Sequence, residues 1–190
     1  MKRVVIVIIS LGVIAAAAWN WGGAIAQHGM MSGHHGGNAQ THDEVRMPML
    51  NGRDTTPEEV EDLRALFTEH RALTRSVTNL PNGIRTLTET KDPALLEALF
   101  NHAVGMIDRV DSQRDPQVPI QSPTLDYLFA HPDRISTEIE PTDFGLIVTQ
   151  TSDDPKMVEA LQTHAAEVSD LAARGMQSVH ESMMGRHHTN

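Results

Sequence analysis

The sequence predicts an α+β domain in which helices cover one face of a sheet, with a ferredoxin-like arrangement as one option. Three observations predict this class. Helix-start signals are followed by apolar residues at helical spacing, short runs alternate between apolar and polar residues as strands do, and eleven residues recur at an interval of 62 positions. We therefore expect two copies of one helix–strand–helix unit, flanked by disordered tails that are rich in Met and His.

The first helix is expected to begin with Thr56 as its N-cap and Pro57 at its first position, followed by acidic residues in the first turn. Its apolar face extends from Leu63 to Leu73, so the helix should end before the turn sequence "LPNG". The next run, "IRTLTET", alternates like a strand. The run "KDP" then starts a second helix, which extends to about Val110.

The second half of the chain repeats this order without a gap. Residues from about 57–110 form the first copy, and residues from about 119–172 form the second. In the second copy "ISTEIE" also alternates, and it can pair with "LIVTQT" through the turn at Pro141–Asp143. The residues of the first copy that have an identical residue 62 positions later are Leu63, Leu66, Phe67, Gly83, Asp92, Pro93, Glu97, Ala98, Leu99, His102 and Ala103.

The N-terminus has the features of a secretory signal peptide. Lys2 and Arg3 precede the apolar run "VVIVIISLGVIAAAA", and "AIA" at 24–26 is a small-residue cleavage site. We expect cleavage before Gln27 and export to a bacterial periplasm; an uncleaved membrane anchor is the alternative, for which the run is short. The predicted organisation is a signal peptide at 1–26, a disordered His- and Met-rich tail at 27–54, the duplicated domain at 55–180 and a Met- and His-rich C-terminal tail at 181–190.

Composition excludes several functional classes. The chain has no cysteine, so disulfides, thiolate metal sites and covalently attached c-type haem are excluded. Loss of Lys2 and Arg3 with the signal reduces the 15 Lys and Arg residues to 13, against 25 Asp and Glu residues, which leaves a formal charge of −12. Such a surface repels nucleic acid and attracts cations or a basic periplasmic partner protein. Membrane contact is expected only with an uncleaved signal, and no feature predicts the oligomeric state.

Two histidines occupy matched positions on the second helix of each copy. His102 and His164 each lie on an otherwise apolar helical face, with Met106 one turn beyond His102. Desolvation favours the neutral imidazole, which is the form that binds metal ions. A metal or haem site built from His102, His164 and Met106 is one interpretation. A core histidine that is hydrogen-bonded to a neighbouring polar group is the other.

Both predicted tails combine thioether and imidazole side chains. The runs "MMSGHH" at 30–35 and "MMGRHH" at 183–188 share the order Met-Met-x-x-His-His. Methionine sulfur selects Cu(I), whereas imidazole also suits Cu(II) and zinc, so the combination favours copper. Solvated low-complexity tails, or a Met-rich end that packs on the core, would explain the same residues. The predicted tail ligands are His28, Met30, Met31, His34, His35, Met176, His180, Met183, Met184, His187 and His188.

No catalytic residue is predicted, because the sequence contains none of the common hydrolase, metalloprotease or phosphate-loop motifs. His70 lies beside Arg71 and Arg75, where an anion is as plausible as a metal. The favoured function is a periplasmic metal-binding protein, with copper as the metal, that acts as a carrier, buffer or resistance factor. The alternatives are a haem b-binding or electron-transfer protein with His102 and His164 as axial ligands, and an acidic interaction module whose histidines are structural.

Two stretches, "LPNGIRTLTETKDPALLEALFNHAVGM" and "GLIVTQTSDDPKMVEALQTHAAEVSDLAARGMQSVH", resemble a family of uncharacterised exported bacterial proteins. The likeness covers roughly residues 60–182 and depends on the patterns "NG…T.T.DP…H" and "TSDDP…HA..VS…GM…H". It implies a shared periplasmic α+β domain and carries no assigned reaction. The Met- and His-rich tails lie mostly outside it.

Overall fold

Helices and a mainly antiparallel sheet make up the part of the chain that the computed structural model describes, residues 5–6 and 47–187. The α-helices are α1 (Pro57–Thr68), α2 (Pro93–Asp111), α3 (Pro123–Ala130), α4 (Pro155–Arg174) and α5 (Met176–His187). The strands are β1 (Val5–Ile6), β2 (Thr74–Leu80), β3 (Gly83–Glu89), β4 (Ser136–Pro141) and β5 (Gly145–Thr151). Within the described ranges, no helix is both long enough and apolar enough to cross a membrane.

The sheet has the strand order β1–β4–β5–β3–β2. Strands β2 to β5 are antiparallel to their neighbours, and the two-residue β1 runs parallel to β4. Ile84, Thr86 and Thr88 on β3 are buried while Arg85 is exposed, so the helices cover one face of the sheet. The predicted α+β class is confirmed. Within that class, the strands follow one another as two hairpins, β2–β3 and β4–β5, whereas the ferredoxin-like option has the order β-α-β-β-α-β.

The pairing of β3 with β5 relates the two copies by a local twofold axis. Thr86 lies opposite Val148, and these residues occupy equivalent positions, 62 residues apart. The hairpins also share one register. Thr74 pairs with Glu89 at the start of β2, and each pair between β4 and β5 falls 62 residues after a pair between β2 and β3. The 62-residue interval of the sequence is therefore also an interval of the backbone pairing.

Two equivalent glycines allow β3 and β5 to approach at both ends of this pairing. A Cβ atom on Gly83 would lie 2.0 Å from the carbonyl oxygen of Gln150, and one on Gly145 would lie 1.9 Å from the carbonyl oxygen of Thr88. Neither distance is compatible with a side chain. Glycine recurs at this position of the repeat because the backbone of the neighbouring strand occupies the space.

The first helix is shorter than predicted, and the segment after it is a strand. Helix α1 begins at Pro57 with Thr56 as its N-cap, as expected, but it ends at Thr68. Leu73 lies outside it, and Thr74–Leu80 forms β2. Thr74, Val77 and Thr78 are β-branched, which disfavours helix and suits a strand that pairs with β3. Each copy is therefore helix–hairpin–helix. The first copy has one strand more than predicted, whereas the hairpin predicted for the second copy is present.

Both predicted tails enter the folded region where they adjoin the domain. Pro48–Leu50 forms a short 3₁₀ helix, and Met47 and Leu50 are buried in a cluster with Val60, Phe67 and Val179. The ordered chain thus begins before residue 55, because Met47 and Leu50 add apolar area to this cluster. At the other end, α5 continues to His187, so residues 181–187 are helical rather than disordered.

Candidate ligand-binding cavity

A cavity of about 640 Å³ lies between the helices and the inner face of the sheet. Leucine, isoleucine and valine are the commonest residues of its walls, which come from all five helices and from β2 to β5, and polar or charged residues lie among them. Cavities that bind small molecules in proteins typically measure about 300–1,000 Å³ and have this mixture of lining groups. The dimensions and the lining are those of a binding site for a small, mostly apolar molecule.

The cavity lies in the helix layer, where the equivalent helices α2 and α4 pack differently. Helix α4 packs closely on β2 and β3, whereas α2 packs mainly against α1 and contacts the sheet at β5. Leu161 and Ala165 on α4 are fully buried, but the equivalent Ala103 on α2 retains accessible surface. The inner face of α2 is therefore less completely covered than the inner face of α4. The apolar side chains that stay accessible on the inner face of α2 line the cavity.

His102 faces this cavity from α2. The residue is half-buried and lines the cavity. Burial lowers its pKa to about 4; Glu59 opposes this shift, and a charge on His164 adds to it. The ring is therefore neutral at physiological pH. A neutral imidazole offers one donor and one acceptor nitrogen, and the acceptor nitrogen can also bind a metal.

His164 lines the same cavity from α4 and lies near Glu167. Its Nδ1 is 3.6 Å from a carboxylate oxygen of Glu167, which is too long for a hydrogen bond. This nitrogen is buried and has no hydrogen bond to any described residue. Glu167 accepts hydrogen bonds from Ser122 at 2.8 Å and from Thr124 at 3.0 Å. Burial would raise the pKa of Glu167, but His164 and the two hydroxyls lower it below its usual value.

Arg75 brings a cation to the cavity wall from β2. Its Nη1 donates to the hydroxyl of Thr88 at 2.7 Å, and its Nε donates to the hydroxyl of Ser169 at 3.3 Å. Burial lowers its pKa to about 10, so the group stays charged at neutral pH. The sequence left an anion and a metal equally plausible near Arg71 and Arg75, and it assigned this segment to a helix. Arg75 and Val77 alternate with exposed residues along β2. This alternation is the signal that could have placed the Arg75 side chain on the inner face of a strand.

The predicted core ligands line one cavity, and the tail ligands in the described part of the chain are not among its lining residues. His102, His164 and Met106 all line the cavity. Among the described residues, no group of three or more His, Cys, Asp or Glu side chains is arranged to hold a metal ion. Met176 packs against the cluster around Leu50, His180 is half-buried and Met184 is 65% exposed. Met183 and His187 belong to α5. The predicted ligands outside the described residues are His28, Met30, Met31, His34, His35 and His188.

Comparison with known proteins gives no relative for this chain. No protein-family model matches it, and searches of curated proteins and of solved structures returned no significant match. The resemblance to exported bacterial proteins therefore stays a prediction. Function has to be inferred from the cavity and from the chemistry of the side chains.

Proposed function

We propose that this chain is an exported binding protein that holds a small, largely apolar molecule between its helices and its sheet. The cavity of about 640 Å³ carries this proposal. A domain of this size normally fills such a space with side chains, because interior voids lose packing contacts and destabilise the fold. A bound ligand would restore those contacts. Export is part of the proposal and depends on the signal-like N-terminus.

The polar groups on the wall would orient the ligand. His102 is held neutral by burial, so it can donate or accept one hydrogen bond without introducing a charge. His164 presents a buried Nδ1 that forms no hydrogen bond with the described residues. Because both rings line one cavity, haem b remains a candidate occupant, with imidazole as its axial ligand.

The cavity can be tested with a neutral apolar dye and a pair of matched variants. N-phenyl-1-naphthylamine should gain fluorescence on binding to the purified protein. The substitution Ala103→Trp adds bulk at the cavity wall and should reduce dye affinity at least about tenfold. Ala94→Trp, at an exposed position on the same helix, is the control and should leave affinity unchanged.

Two results would decide against this proposal: no dye binding by the wild-type protein, or equal binding by both variants. Addition of haemin in the same series separates the candidate occupants. A Soret band that is lost in His102→Ala would identify haem b, and its absence would leave apolar molecules without iron.

A second proposed function is capture of copper ions by the two ends of the chain. Its support is the repeated Met-Met-x-x-His-His order in the runs that start at Met30 and at Met183. Thioether and imidazole together provide ligands for both oxidation states of copper. The net negative charge of the chain would favour cations in general. The chain would then act as a copper carrier, buffer or resistance factor in the periplasm.

Titration with Cu(I) and Cu(II) tests this second function. The wild-type protein should bind copper with at least micromolar affinity. A variant with alanine at His34, His35, His187 and His188 should lose most of that binding. His102→Ala is the comparison, and it should lose binding only if the interior contributes a site. Copper binding that survives the fourfold substitution unchanged would contradict the role of the two ends.

A further inference from the structure

We propose that the cavity selects a carboxylate with an aliphatic tail, and that Arg75 binds the carboxylate group. This inference depends on the proposed ligand-binding function and specifies the class of its ligand. Arg75 is largely enclosed by protein, and its two hydrogen bonds go to the neutral hydroxyls of Thr88 and Ser169. No carboxylate among the described residues forms an ion pair with it. Both of its hydrogen-bond partners are neutral.

An enclosed arginine without an anionic partner is unusual, because removal of a charge from water is unfavourable unless an opposite charge or several acceptors replace the water. Arg109, also buried, illustrates the usual solution. It forms ion pairs with Glu59 at 2.6 Å and with Asp54 at 3.1 Å. Arg75 has two hydroxyl groups as partners, where Arg109 has two carboxylates. A ligand anion would supply the missing partner.

Three acidic residues line the cavity, Asp111, Glu167 and Asp170, and none of them forms an ion pair with Arg75. Glu167 is bound by Ser122 and Thr124, and it lies beside His164. Asp170 forms its contacts with Arg174 and Ser178. No nearby charge contributes to the lowered pKa of Arg75, for which burial is the cause. Among the described residues, the guanidinium group therefore has hydroxyl partners but no anionic one.

The repeat shows that the cation is an addition to one copy. Arg75 and Thr88 are opposite each other on β2 and β3, and the equivalent pair on β4 and β5 is Thr137 and Gln150. Both pairs are joined by a side-chain hydrogen bond, from Arg75 to Thr88 and from Gln150 to Thr137. Only the first pair carries a charge. A neutral pair would meet the needs of the sheet, so a charge at Arg75 has to be explained by something else in the cavity.

Geometry and lining together define the ligand class. A guanidinium group presents parallel N–H donors that match the two oxygens of a carboxylate. Apolar side chains, among them Ile84, Leu128 and Leu146, make up most of the exposed surface of the rest of the wall. A ligand satisfies both features if its carboxylate binds Arg75 on β2 and its hydrocarbon chain lies along the apolar wall. A compact polar anion would leave most of the wall without contacts.

Competition against N-phenyl-1-naphthylamine at pH 8 tests the proposal, with dodecanoate and dodecan-1-ol as a matched charged and neutral pair. The wild-type protein should bind dodecanoate at least about tenfold more tightly than the alcohol. Arg75→Met should abolish this preference by weakening dodecanoate binding while affinity for the alcohol stays the same. Arg75→Lys keeps the charge and should fall between the two. Arg85→Met, on the exposed face of the same sheet, is the control and should behave like the wild type.

The outcomes separate this inference from the proposed function. If the dye and the alcohol bind but dodecanoate has no advantage in the wild type, the cavity binds ligands and the role of Arg75 is wrong. If Arg75→Met keeps the preference for dodecanoate, the role of Arg75 is equally wrong. If no probe binds the wild type, the proposed function fails, and the ligand class fails with it. The wild-type comparison and Arg75→Lys decide the matter even if Arg75→Met does not fold.

Discussion

His102 shows how one residue can connect folding to a binding site. Its position on the apolar stripe of α2 was predictable from helical spacing, and so was the neutral ring. The sequence could not show whether the imidazole ring would bind a hydrogen-bond partner or line a cavity. The structure places it at a cavity wall, where burial lowers its pKa to about 4.

Protonation of His102 should make stability depend on pH. An unfolded histidine has a pKa near about 6.5, so between pH 6.5 and pH 4 the unfolded chain binds more protons than the folded chain. The free energy of unfolding should therefore decrease as the pH falls through this window. The contribution of His102 is on the order of 3 kcal/mol. Urea denaturation at pH 7.5 and at pH 4.5 measures the loss.

The variant His102→Gln isolates this contribution. Carboxylates with lowered pKa, such as Glu59 and Glu167, also lose stabilising interactions in acid, but they do so in both proteins. The variant should therefore lose less stability than the wild type between the two pH values. An equal loss in both proteins would show that His102 is already free to protonate in the folded state.

At the scale of elements, a buried arginine joins two helices and the segment that precedes them. Arg109 in the last turn of α2 is 3% exposed. It donates to both carboxylate oxygens of Glu59, at 2.6 Å and 2.8 Å, and to a carboxylate oxygen of Asp54 at 3.1 Å. Glu59 also receives the backbone N–H of Thr56 in the capping box of α1. The start of α1 is thereby attached to the end of α2.

Removal of this attachment should destabilise the fold. Arg109→Met leaves Glu59 and Asp54 without their cation and should reduce the free energy of unfolding by about 3 kcal/mol. Arg114→Met is the control, because Arg114 pairs with Asp108 at the surface and should contribute less than about 1 kcal/mol. Urea denaturation at pH 7 measures both variants. Similar effects from the two substitutions would show that the buried contacts add nothing beyond a surface ion pair.

Strand β2 is the element that local signals did not reveal. Leu73 continues the apolar spacing of α1, so a helix that extends past Thr68 fits the local pattern. Pairing with β3 decides between the two structures, because it satisfies the backbone groups of Thr74–Leu80. The repeat contained the missing information. The predicted strand "ISTEIE" has its counterpart 62 residues earlier, within this segment.

At the scale of the whole molecule, the two copies are related by approximate twofold symmetry in the sheet but differ in the helix layer. The twofold relation between Thr86 and Val148 sets the strand order and the positions of the two glycines. The departure lies in the helix layer, where α4 packs closely on the sheet and α2 does not. The two copies bury different amounts of side chain at equivalent positions, as Ala103 and Ala165 show. The cavity results from that difference.

The sequence alone determined the α+β class, the beginnings of the main helices and the inward positions of His102 and His164. These features depend on local physics, because caps such as Thr56, Asp92 and Asp154 bind backbone N–H groups within one turn, and helical spacing places a side chain on a face whatever that face meets. Tertiary structure alone decided the cavity and the enclosure of Arg75. The cavity lies between helices and strands from both copies, and Arg75 on β2 is held by Thr88 on β3 and Ser169 on α4. These side chains come from separate parts of the chain and meet only after folding.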